Sequence, residues 1–68
     1  MRKCGIVCDL YKVEKFKEEI TKKGYTYEVL PYFHFEDTKV IIVKCPDGEI
    51  HKVIAITQFV EAFFKRRN

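Results

Sequence analysis

The stretch PDGEIHKVIAI, Pro46 to Ile56, decides how this chain is read. Proline sets φ, and Asp-Gly supplies the residues a tight turn needs. The β-branched run behind it then reads as a strand returning from a hairpin. On this reading KVIIVKC, 39–45, enters the turn as a central strand, apolar on both faces. IHKVIAI, 50–56, leaves it as the next strand. Thr57 caps a second helix over 57–67, with Phe59, Val60, Phe63 and Phe64 as its apolar stripe.

Upstream lies YTYEVLPYFHF, 25–35, where Tyr25, Tyr27 and Val29 alternate with Thr26 and Glu28 as a half-buried strand does. Pro31 has no N–H to give a ladder, which puts this strand at an edge or a bulge. Glu36–Asp37–Thr38 reads as the following turn. Strand parity sends Phe33 and Phe35 into the core, and Leu30, Tyr32 and His34 to the other face. Further upstream, KCGIVC, 3–8, fits a short buried strand, and Asp9 stands where a helix N-cap belongs. Leu10, Val13, Phe16 and Ile20 recur at helical spacing over 10–23, and Gly24 suits the C-cap. Glu14–Lys17, Glu18–Lys22 and Glu19–Lys23 stand at ion-pair spacing on its outer face. The expected order is β-α-β-β-β-α. That is a single two-layer α+β domain over 1–68: a mixed four-stranded sheet with two helices, its first two strands parallel.

At 68 residues with 47% hydrophobic content, the chain sits near the lower limit for folding on one core. No apolar run is long enough for a membrane helix, and Asp9 interrupts what a signal peptide would need. The expected location is the cytoplasm. Thirteen basic residues against ten acidic give a net charge of +3, mild for a nucleic-acid binder. Cys4, Cys8 and Cys45 form no CxxC pair and no zinc spacing. In a reducing cytosol they read as small buried hydrophobes, although hyperthermophiles do keep intracellular bridges. Cys4 and Cys8 on one strand stand about 13 Å apart, too far to bridge each other.

His34, His51 and Cys45, with Glu36, Asp47 or Glu49, are metal-ligand types at irregular spacing, and no metal or other cofactor is expected. No third group orients a Cys–His pair, so no catalytic residue is assigned. Two surfaces remain. Lys65, Arg66 and Arg67 follow Phe63 and Phe64, a combination that suits nucleic acid and equally suits a helix C-terminus. Tyr32 and His34 continue a second apolar sheet face that holds Val7, Leu30, Val40, Ile42 and Val53.

CPDGEIHKVIAITQFVEAFFK resembles the last hairpin and helix of thioredoxin-like proteins such as glutaredoxins, and KKGYTYEV resembles part of that fold's first half. The resemblance implies a thioredoxin-like arrangement without its redox pair, since Cys4 and Cys8 lie within the strand and Thr38 replaces the family's proline. Residues 10–67 are also similar in element order to double-stranded-RNA-binding domains, without that family's basic contact residues. The expected function is therefore non-enzymatic: a small binding or regulatory protein that recognises a protein partner by its surface. Compact proteins of this kind include inhibitors and accessory factors of viruses and plasmids. A homodimer through Leu30, Tyr32, Val40 and Ile42 is expected to cover the second sheet face. A weak nucleic-acid binder and a redox- or metal-responsive protein are the alternatives.

Overall fold

The computed structural model describes residues 2–66, apart from the side chain of Arg66. Strand β1, Arg2–Asp9, leads through a 3-10 turn, Leu10–Lys12, into helix α1, Val13–Lys22. Strands β2, Thr26–Tyr32, and β3, Phe35–Cys45, follow, and helix α2, Ile50–Arg66, ends the described chain. The sheet is three-stranded and antiparallel, in the order β1-β3-β2. This corrects the expected mixed four-stranded sheet. β1 and β2 run the same way, but β3 lies between them and pairs with both.

The missing strand is IHKVIAI, which is the first part of α2. A short apolar run does not distinguish a strand from a buried helix, and β-branched residues tilt the reading toward strand. The longer window decides it. Val53, Ile56 and Val60 are all buried, three and four residues apart, while Ile54, between the first two, is half exposed. Pro46-Asp47-Gly48 still turns the chain, with Gly48 at φ 89°, but the turn delivers a helix. Glu49 N–H donates to Pro46 O at 3.1 Å, and Lys52 N–H to Glu49 O at 3.0 Å. Thr57 is no cap; inside the helix its hydroxyl donates to Val53 O at 3.2 Å. With that hairpin gone, the thioredoxin-like resemblance loses the element that carried it.

Two local readings also change. Asp9 has the extended backbone of a cap residue, yet its side chain makes no capping hydrogen bond, and a 3-10 turn precedes α1. Gly24, at φ 81°, does close that helix. The outer ion pairs include Glu14–Lys17 and Glu18–Lys22, but Glu19 meets Lys15 and Lys22 instead of Lys23.

Both helices lie on one side of the sheet. Ile6 and Cys8 from β1 and Ile41, Val43 and Cys45 from β3 form one buried cluster with Val13, Phe16 and Ile20 of α1 and Val53, Ile56 and Val60 of α2. Tyr27 and Val29 of β2 close its flank. Val53 thus belongs to the core and not to the second sheet face. Lys12 ties the two helical segments by an ion pair to Glu61 at 2.6 Å, and the Lys15 ammonium stands 4.5 Å from the Phe63 ring centroid. Phe59, expected in the apolar stripe, is half exposed. The result is a slab with Cα extents of 32 × 29 × 15 Å, one helical layer on one sheet layer.

Candidate functional site

The chain reverses between β2 and β3 in two residues, Phe33 and His34. Neither has positive φ, so the turn lacks the backbone that matches strand twist in two-residue hairpins. The pairing is irregular just before it: Pro31 faces Lys39, whereas Tyr32 faces Phe35. Residues 36–38 thus bulge from β3 opposite that step. The expected Glu36–Asp37–Thr38 turn is therefore part of a strand, and Thr38 pairs with Asp9 of β1.

This displaced turn overturns the assignment of Phe33 and Phe35 to the core. Phe33 is 100% exposed at the tip and Phe35 is 59% exposed. The expected residues Tyr32 and His34 are brought to the same place. Tyr32 stacks on Phe35, ring planes parallel within 1° and centroids 6.1 Å apart, and it meets His34 edge-on at 5.7 Å. Glu36 and Asp37, both exposed, follow Phe35 directly in the chain. Only the abrupt pairing of an aromatic run with two carboxylates hinted at this. Without Gly or Asn, the turn itself left no mark in the sequence.

The second surface is the sheet face away from the helices. β1 places Lys3, Gly5, Val7 and Asp9 on it; β3 places Val40, Ile42 and Lys44; β2 places Thr26, Glu28 and Leu30. Leu30, Val40 and Ile42 fall where the sequence put them, in one patch with Val7. Val7 is 58% exposed and Leu30 38%. Tyr32, two residues beyond Leu30, continues this face toward the hairpin tip. Lys65 is exposed near the end of α2, on a groove shared with Tyr11, Lys12 and Phe64. Arg67 and the side chain of Arg66, the rest of the expected basic site, lie outside the described residues.

The titratable groups elsewhere are structural in setting. Burial pushes the Cys8 thiol up, and it does the same to Cys45, helped by the neighbouring Cys4. Cys8 and Cys45 are buried, Cys4 is only partly so, and all three are free thiols. Tyr25 donates to a Glu49 carboxylate oxygen at 2.6 Å, which pushes its phenol up to about 12 and holds the carboxylate below its usual range. Among the described residues no three His, Cys, Asp or Glu side chains gather as a metal site would require. No described helix is long and apolar enough to cross a membrane. Comparison with known proteins finds no matching family model, no matching curated sequence and no matching solved structure.

Proposed function

We propose that this chain is a small non-enzymatic binding protein of the cytosol, which recognises a protein partner through the aromatic hairpin tip. One observation carries the reading: Phe33, fully exposed, leads a projecting turn whose neighbouring rings are stacked on each other. An exposed phenylalanine forgoes about 1.5–3 kcal/mol of burial, which a partner's pocket would recover. The stacked pair holds its geometry before contact, so less side-chain freedom is lost on binding. Large aromatic side chains are also enriched among the residues that dominate interface energies.

The carboxylates of Glu36 and Asp37 define the partner further. They suit an apolar pocket rimmed by Lys or Arg, and they repel the phosphates that a base-stacking platform must tolerate. The test is a displayed peptide library selected against the purified chain. Enriched peptides are expected to be apolar with basic residues, and Phe33→Ala should weaken them by roughly thirtyfold or more, as loss of a dominant contact does. Peptides that bind the Phe33→Ala and Phe35→Ala variants as well as the parent would sink the proposal.

A further inference from the structure

We infer that the uncovered sheet face is a self-complementary dimer surface, on which a second copy sits with its strands running opposite to the first. Phe33 and Phe35, which carry the hairpin reading, are not among its rows. Four cross-strand rows make up the face. Lys3, Lys44 and Thr26 form the first; Gly5, Ile42 and Glu28 the second; Val7, Val40 and Leu30 the third. Asp9 and Thr38 begin the fourth, and Asp37 shares a surface hollow with Asp9. One end of the face is therefore basic and the other acidic, and the two rows between them are apolar on β1 and β3, with Glu28 beside Leu30 on the β2 edge.

Two-fold axes that keep the strands of two face-packed sheets aligned run either along the strands or across them. An axis along the strands would superpose like rows and set Lys44 against Lys44. An axis across the strands, through β3 between Val40 and Ile42, reverses the rows and keeps each strand over its own counterpart. Lys3 then meets Asp9 of the second copy, and Asp9 meets its Lys3. Val40 lies over Ile42, Val7 lies over Gly5, and at the rim on the β2 edge Glu28 lies over Leu30, where its carboxylate can turn to solvent. Only this axis pairs opposite charges on β1 and a large side chain with a vacancy.

Gly5 supplies an independent reason. A glycine inside a strand weakens it, and commonly marks the close approach of another group. Among the described residues nothing requires it. Its φ is not positive, and an added Cβ would meet Ile42 Cδ1 at 3.7 Å and Val40 Cγ1 at 4.0 Å, both ordinary contacts. Its use lies on the outer side, where the second copy's Val7 fills the hollow.

Sedimentation velocity at micromolar concentration tests both the dimer and its axis. The parent chain is expected to be a dimer. Lys3→Glu alone and Asp9→Lys alone should each weaken association by roughly tenfold or more, because symmetry reverses two charge pairs at once. Mixing the two variants should restore association as a heterodimer, since each then faces its opposite charge. Gly5→Leu should also dissociate the dimer while keeping the parent's circular dichroism spectrum, so loss of folding is told apart from loss of contact. A monomeric parent overturns the inference, as do single variants that associate like the parent, or a mixture that stays monomeric. None of these substitutions touches Phe33 or Phe35, so failure here leaves the peptide-selection result standing.

Discussion

At the residue scale, the Tyr25–Glu49 hydrogen bond sets a pH dependence at both extremes. The phenol's pKa rises from 10.0 to about 12 in the folded chain. Its contribution is full below pH 10 and is lost as pH climbs from there toward 12. The carboxylate is held below its ordinary 4.5 by the same bond, so its share is present above that value and fades as pH falls through the folded pKa. Melting temperatures across pH should therefore show Tyr25→Phe to be less stable than the parent at neutral pH. The gap should narrow on each flank; a gap that stays constant at pH 11–12 would deny the bond its role. The thiols give a second residue-scale prediction. Cys4, half-buried, should label first under native conditions, while Cys8 and Cys45 react slowly because burial both shields the sulfur and disfavours the thiolate. Three equal rates would contradict the core described above.

At the element scale, α2 separates what the sequence disclosed from what it hid. Helix α1 and the central strand were legible because their periodicities run unbroken: Val13, Phe16 and Ile20 for the first, a continuous apolar run for the second. The face carrying Leu30, Val40 and Ile42 was equally legible, since parity alone assigns it. Residues 50–56 were not, because a turn signal beside β-branched residues satisfies hairpin and helix start alike. Phe33 and Phe35 were misplaced for another reason: parity says which way a side chain points only while the strand continues, and this strand ends at Tyr32. Mutation separates the two readings of residues 50–56. Ile56→Ala should cost about 2–5 kcal/mol, as deletions from a packed core do. Ile54→Lys, on the exposed side of the helix, should stay within about 0.5 kcal/mol of the parent. Gly48→Ala should cost about 1–2 kcal/mol through the left-handed backbone alone, since nothing lies within 4 Å of the added carbon. Urea titration measures all three.

At the scale of the whole molecule, the two-layer slab has one layer too few to dry both faces of its sheet. A chain this small gains stability from any contact that covers such a face. If the sheet face closes on a second copy, folding and assembly are linked by mass action, and the melting temperature must rise with protein concentration. Lys3→Glu should flatten that rise, and a melting temperature independent of concentration in the parent would count against the dimer. Charge distribution sets a further expectation: with the pairing charges at the rim, the dimer should loosen as salt is raised.

The strand order also governs how the sheet assembles during synthesis. The central strand is the last of the three to be made, and the first residues of the chain pair with its far end, Arg2 opposite Cys45. While the protein is being translated, β1 has no neighbour on which to lay its hydrogen bonds until β3 has cleared the ribosome. Helix α1 can form early from local contacts, but the sheet must wait and then assemble in a single late event. A chain stalled before residue 45 should resist a protease no better than an unfolded peptide, and release of the remaining residues should confer protection all at once.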